Sequence, residues 1–347
     1  VRRLTWWHGH VSLAGLSTRA IAVTLAALLC ALGPTRGARA DEPDAPTVEP
    51  GRSAAEVDDF LARYAAAPVD GPELRLPVSP TRLWLDVGYA RTDDLSSLPY
   101  ITGKAQNVRS ALGAAWRWGR FAFTGEMPFL HVTTIDVATI MNQPPEPVDA
   151  HQTAASIGDL RLGADWTDHL GDAIVAGFGF RARVPTHTTG FSFHLIDGSL
   201  ATYRLPYYFH LEPTAILGAA FGRFAFVVNE GVIVLLGPNG TFEGFYIHVP
   251  TIAFWDAAYA VSWAPLAAFA ASLELATDIQ LNHVSGQDFT TFNDLRSVSL
   301  APALQWHVAE YRVDLVARFG LTNGANLFGI MEFAGTTSYT LRVSRLF

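Results

Sequence analysis

Cysteine is almost absent from this chain of 347 residues: Cys30 is the only one. It falls inside a segment expected to be removed. Disulfides, thiolate catalysis and cysteine-ligated metals are therefore excluded from the remainder of the chain. Charge is also scarce, at 16% of residues, with 32 acidic groups against 24 basic ones. Setting aside the five arginines of the first 40 residues leaves 19 basic against 32 acidic residues, a balance of −13. Such a chain offers no basic patch, and nucleic acid is an unsuitable partner. The third absence is of long hydrophobic runs. Half of the residues are hydrophobic, yet beyond residue 40 no apolar run approaches the ~20 residues of a membrane-spanning helix. Apolar composition without apolar runs arises when many strands alternate, one face toward lipid and the other inward.

What is present begins with a basic stretch, Arg2, Arg3 and Arg19, followed by the apolar segment Ala20–Leu32 and the small-residue site Ala38-Arg39-Ala40. This is the layout of a secretory signal peptide over residues 1–40, with a mature chain from Asp41. Residues 41–80 are rich in proline, acid and alanine. Within them Val57, Phe60, Leu61 and Tyr64 fall at helical spacing, so a short amphipathic helix is expected near 54–66. The favoured reading of 41–80 is a periplasmic tail carrying that helix; the alternative is a plug inside a barrel.

From residue 81 to 347 period-two segments recur. Their apolar members are Leu83 to Tyr89, Val108 to Trp118, Phe121 and Phe123, Leu160 to Trp166, Ile174 to Phe180, and Phe209 to Ala219. They continue with Phe224 to Val228, Thr251 to Trp263, Phe269 to Leu281, Val298 to Trp306, Tyr311 to Phe319, and Tyr339 to Val343. Short turns are expected near 119, 169, 222, 265 and 309. Long connections are expected at 91–106, 138–153, 185–205, 237–247, 282–294 and 322–335. Twelve strands with both chain ends on the short-turn side describe an all-β, transmembrane, antiparallel up-and-down barrel of bacterial outer-membrane type. Gly-Arg-Phe-Ala-Phe occurs at both 119–123 and 222–226, marking equivalent turns. Trp116, Trp118, Phe121, Trp166, Phe221, Phe224, Trp263 and Trp306 flank short turns, as an interfacial aromatic girdle would.

The opposite parity collects the ionisable residues. Asp86, Arg109, Arg117, Glu126, Asp159, Arg161, Asp165, Arg181, Arg183, His210, Glu212, Asp256, Glu274, Asp278, His307, Arg312, Asp314, Arg318 and Arg342 are expected to face the lumen. So many charges of both signs must pair across strands or line water. A barrel of about 12 strands has little free lumen, which favours a pairing network with a narrow path over an open channel. No metal site or cofactor is called for; His187 and His194 share a long connection at a spacing that fits no ligand motif.

Three resemblances add to this reading. The closing segment, with Tyr339, Leu341, Val343 and the terminal Phe347 on one face, resembles the signal read by the barrel-assembly machinery. Arg345 departs from it by placing a charge on that face, where a rim arginine can snorkel. Ile157-Gly-Asp-Leu-Arg-Leu-Gly-Ala-Asp165, Gly177-Phe-Gly-Phe-Arg-Ala-Arg-Val-Pro-Thr186 and Phe319-Gly-Leu-Thr-Asn-Gly324 resemble a family of outer-membrane barrels. That family is described as transporters of the meta-pathway of phenol degradation. The resemblance implies a barrel in outer-membrane lipid and the passive passage of small molecules, with a hydrophobic or aromatic ligand. No ligand residue carries over. Asn282-His-Val-Ser-Gly286 partly resembles the active segment of outer-membrane phospholipase A, which would make Ser285 a nucleophile and His283 its base. The asparagine expected after the serine is Gly286 here, so a non-enzymatic barrel is favoured. A structural or surface-interaction barrel is the other alternative.

Overall fold

The computed structural model describes Thr47 and residues 53–65, 75–92, 101–140, 146–186, 190–194, 200–204, 209–236, 239–242, 245–248, 251–282, 296–322 and 336–347. All belong to one compact unit, Asp44–Phe347. The signal-peptide expectation for residues 1–40 lies outside the described residues, as do His283 and Ser285.

Among the described residues one helix, α1 (Ala54–Tyr64), is followed by strands β1 (Arg82–Thr92), β2 (Ile101–Trp118), β3 (Phe121–Ile140), β4 (Glu146–Ser156), β5 (Leu160–His169) and β6 (Ile174–Val184). Then come β7 (Gly190–His194), β8 (Leu200–Arg204), β9 (Phe209–Phe221), β10 (Phe224–Leu236), β11 (Asn239–Phe242) and β12 (Phe245–His248). The chain ends with β13 (Ile252–Leu266), β14 (Phe269–Gln280), β15 (Arg296–Val308), β16 (Tyr311–Gly320) and β17 (Thr336–Leu346). No described helix is long and apolar enough to cross a membrane.

Twelve of the strands close on themselves in the order β2-β1-β17-β16-β15-β14-β13-β10-β9-β6-β5-β3, with β3 pairing back to β2. Every pairing is antiparallel, and closure removes the exposed edges that an open sheet would carry. The ring joins at β1 and β17, where Arg82 stands opposite Leu346 and Thr92 opposite Thr336. The terminal Phe347 amide donates to the Thr81 carbonyl at 3.0 Å, sealing the joint. Arg345 lies 5.1 Å from the Phe347 ring centroid and 6.0 Å from that of Tyr311, so its charge is spread over two aromatic faces at the rim.

Short turns close the hairpins at one end. Gly119 and Gly222 have φ of +59° and +57°, and Ala309 has +53°. Each is the first central residue of a two-residue loop, and positive φ there alone is the pattern of a II′ turn, whose twist suits antiparallel strands. Alternation then sorts the side chains. Trp118 and Phe121 are cross-strand partners, Phe224 pairs with both Phe221 and Trp263, and all face outward at the short-turn end. Above them Leu112, Phe178, Leu217, Leu273 and Leu315 continue an exposed apolar face.

The long connections at the opposite end hold further strands. Strand β3 continues to Ile140 and pairs with β4 over His131–Ile140, where the sequence reading placed a loop at 138–153. Strands β4 and β5 therefore form one interrupted partner for β3. The break falls where Pro128 has no N–H to offer. Pairing shifts register at Ser110/Ala111 beside it, and Gly158 packs on the proline with its own amide donated to the Pro128 carbonyl at 2.9 Å. The connections at 185–205 and 237–247 likewise contain β7–β8 and β11–β12, which assemble into a separate four-stranded sheet. These four strands have only four or five residues each, too short for a period of two to stand out in the sequence.

Candidate functional site

Helix α1 does not lie in a tail outside the barrel, as the favoured sequence reading had it. Val57, Phe60, Leu61 and Tyr64 are buried in one cluster with Val175, Ala220, Ala225, Val227, Ala258, Ala260, Ala264, Ala270 and Ala276 of the inner face. The helix forms for ordinary reasons. Glu56 accepts hydrogen bonds from the Ser53 amide at 3.0 Å and its hydroxyl at 3.3 Å, anchoring the N-terminus. Its apolar stripe then needs a surface, and the alanines of β9, β10, β13 and β14 leave the room that larger residues would fill.

Polar contacts place the helix at the short-turn end. Asp58 accepts from Arg117 at 2.7 Å and contacts His169 Nε2 at 3.0 Å, both near the lower ends of their strands. The Tyr64 hydroxyl donates to the Ala267 carbonyl in the β13–β14 turn at 2.8 Å. Arg312 donates to the Arg63 carbonyl at 2.9 Å and the Ala65 carbonyl at 3.3 Å, satisfying carbonyls the helix leaves open at its C-terminus. Asp314 holds that guanidinium from its other side at 2.8 Å.

Residues 75–80 also lie inside. Arg75 is the residue sequence reasoning missed. It donates to Asp165 at 2.6 Å and to the Glu212 carbonyl at 2.9 Å, while the Glu212 carboxylate stands 3.6 Å away and Arg181 reaches it at 3.4 Å. The Asn229 amide donates to the Arg75 carbonyl at 3.1 Å. Two glycines create the space. A Cβ on Gly179 would sit 2.2 Å from both the Arg75 guanidinium and the Asp165 carboxylate, and one on Gly218 would sit 2.4 Å from Pro77. The signal for this insertion was alanine and glycine at inward parity, opposite an acid-rich segment with Arg75 between apolar neighbours.

The remaining predicted residues gather in separate groups. Asp86 and Arg342 face each other across the joint with a bidentate pair at 2.6 and 2.5 Å. Glu126 stands beside them, within 3.4 Å of Arg109, 3.3 Å of Arg161 and 3.6 Å of Arg342. Trp84 completes the group, its indole donating to Glu126 at 3.4 Å beneath the guanidiniums of Arg82 and Arg342. It occupies the space that Gly113 leaves open opposite it. Nearer the long connections, Arg183 pairs with Asp159 at 2.8 Å, and buried His210 is the register partner of Arg183. Arg318 pairs with Glu274 at 2.8 Å, and the buried Asp256 and Asp278 are register partners. His307 lies against Tyr64 in a tilted arrangement, ring centroids 5.1 Å apart. Tyr339, Leu341 and Val343 lie on the outward parity of β17, with Phe347 exposed beyond them. Among the described residues no group of three or more histidines and acids could hold a metal.

No protein-family model and no curated protein matches this sequence. Solved structures do. An outer membrane channel from Pseudomonas putida F1 aligns over 81% of this chain and 100% of its own with a TM-score of 0.55 at 13% identity. The translocator domain of the autotransporter NalP from Neisseria meningitidis aligns over 97% and 100% with a TM-score of 0.49 at 12% identity. A mutant of the monoaromatic hydrocarbon channel TodX aligns over 77% and 91% with a TM-score of 0.44 at 10% identity. The likeness to the first concerns the fold. A closed ring of twelve antiparallel strands, an apolar outer face and an aromatic girdle define a bacterial outer-membrane β-barrel. Membrane lipid is its surroundings.

Proposed function

We propose that this barrel is a channel for the passive passage of small molecules, hydrophobic or aromatic ones among them, with its own N-terminal segment as the constriction. The observation that carries the reading is the way residues 53–65 and 75–80 are held. Among the described residues, the contacts of this segment with the wall run through side chains: Arg75 to Asp165, Asp58 to Arg117, Arg312 to the helix carbonyls. A segment kept by such contacts, and not woven into the sheet, can shift without opening the ring. The fold shared with a channel and the sequence resemblance to hydrophobic-compound transporters support the same reading, and closure of the last strand through Tyr339, Leu341, Val343 and Phe347 fits recognition by the assembly machinery. The filled lumen favours a second reading, a purely structural barrel.

Conductance and liposome swelling of the refolded mature protein separate the two. Arg75→Ala removes one partner from buried Asp165 and Glu212, loosening the segment. It is expected to raise conductance and probe entry several-fold. Silence in both the wild type and Arg75→Ala would leave the structural reading. Lipid hydrolysis in the same vesicles, lost in Ser285→Ala, would instead establish the hydrolase.

A further inference from the structure

Glu230 stands apart from the inward-facing acids. It is the middle residue of β10 and lies on the outward face, flanked in register by Ala215 of β9 and Ala257 of β13. It is exposed, six residues from Phe224 in the girdle and six from Leu236 above, and therefore in the apolar belt. Its hydrogen-bond partner is the Tyr259 hydroxyl, which donates at 2.9 Å, and among the described residues no cation pairs with it. An ionisable group at this depth is costly in lipid and marks a functional site by default.

A groove begins at this residue. About 560 Å³ in volume, it runs over Ala176, Gly177 and Ala215 between Trp166, Phe178, Leu217 and Val228, down to His169 and Leu170 at the short-turn rim. The volume is that of a small ligand, and the groove is open toward the surrounding lipid. Its floor is made of small residues, its walls include two aromatic rings, and its polar end is a carboxylate already oriented by Tyr259. The acid at the rim, Asp168, is matched by Arg120 at 2.7 Å, so the negative charge left for a ligand is that of Glu230.

We propose that this groove is a lateral binding site for an amphiphilic amine, its ammonium against Glu230 and its hydrocarbon body along the groove. Charge complementarity selects the cation: a protonated amine neutralises the carboxylate in a medium of low dielectric constant, where a charge-assisted hydrogen bond is at its strongest. An alcohol would satisfy the geometry without the charge, and a fatty acid would be repelled. The site lies outside the barrel, so it stands or falls separately from passage through the lumen.

The test uses the refolded mature protein in nanodiscs of zwitterionic lipid at about pH 7, where an alkylamine is protonated. Saturable quenching of tryptophan emission is followed with nitroxide-labelled alkylamine, alkanol and alkanoate of equal chain length. The amine is expected to saturate at about tenfold lower concentration than the alcohol, with the acid weakest. Glu230→Gln should abolish that preference, Tyr259→Phe should keep it, and Ala215→Leu should obstruct binding of all three. Loss of the preference in Glu230→Gln with a normal heat-modifiable barrel supports the site. Equal binding of amine and alcohol to the wild type, or a preference surviving in Glu230→Gln, overturns it.

Discussion

The interior of this barrel has two unlike walls. Across β9, β10, β13 and β14 the inward residues include Gly218, Ala220, Ala225, Val227, Ala258, Ala260, Ala270 and Ala276, and they are covered by α1 and Pro77. Across β16, β17, β1, β2, β3 and β5 they include Asp314, Arg342, Asp86, Arg109, Glu126 and Arg161, which pair mainly with one another. The first wall is unfinished without the N-terminal segment; the second makes most of its pairs between its own strands and reaches the segment through Arg117, Asp165, His169 and Arg312 among the described residues. Burial of charge requires partners close by, and neighbouring strands supply them in fixed register. Burial of alanine requires only bulk, which a separate helix can bring. The contrast separates two kinds of stability, that of the ring and that of the inserted segment.

The largest expected effect is on the paired wall. Arg342→Ala leaves Asp86 buried without its bidentate partner and should destabilise the barrel by about 3–5 kcal/mol. The double change Asp86→Leu with Arg342→Met should recover most of that loss, because no orphaned charge remains. Denaturant unfolding of the heat-modifiable band measures both. If the double variant proves as unstable as Arg342→Ala, the pair is not a self-sufficient unit.

On the covered wall the change should appear in the segment and not in the ring. Leu61 is fully buried between α1 and the inner alanines. Leu61→Ala should weaken docking of the segment by about 2–4 kcal/mol, the cost of a large-to-small change at a packed site. Limited proteolysis should then cut within residues 53–80 while the barrel keeps its unfolding midpoint. A midpoint lowered as far as that of Arg342→Ala would mean that the ring depends on the helix after all.

The same division explains what could be read in advance. The twelve ring strands were legible because each meets lipid on one face and the interior on the other, so the period of two survives in residues such as Leu273, Ser272, Leu275 and Glu274. Parity also separated Asp86, Glu126, Arg318 and Arg342 from the apolar positions. The position of α1 was not legible. Its stripe of Val57, Phe60, Leu61 and Tyr64 shows that a helix forms and needs cover, but not which surface covers it. That answer is written in the small inner residues, Gly218 and Ala258 among them, and becomes meaningful only after the strands are closed into a ring. Arg75 was hidden for a related reason. One arginine in an acid-rich stretch looks solvated until Asp165, Glu212 and the space left by Gly179 converge on it. Strands β7, β8, β11 and β12 escaped because each is only four or five residues long, and β4 because Glu146–Ser156 carries no apolar alternation.

The smallest expected effect concerns the turns beneath the two walls. The β9–β10 turn of the covered wall begins with Gly222, while the β15–β16 turn, at the edge of the paired wall, begins with Ala309; both have φ near +55°, at +57° and +53°. Glycine adopts this region freely, whereas an L side chain pays about 1–2 kcal/mol there. Ala309→Gly should therefore stabilise the barrel by about 0.5–1 kcal/mol after the added entropy of the unfolded chain, and Gly222→Ala should destabilise it by about 1 kcal/mol. Thermal midpoints of the heat-modifiable band would show the opposite signs. Ala309 lies three residues before Arg312, whose guanidinium holds the end of α1. Proteolysis of Ala309→Gly tells whether the strained turn also aims that arginine: unchanged protection of residues 53–65 would confine the strain to the turn, and faster cutting would tie it to the inserted segment. A destabilised ring in Ala309→Gly would contradict the steric argument itself, since relief of the backbone is the only local change the substitution makes.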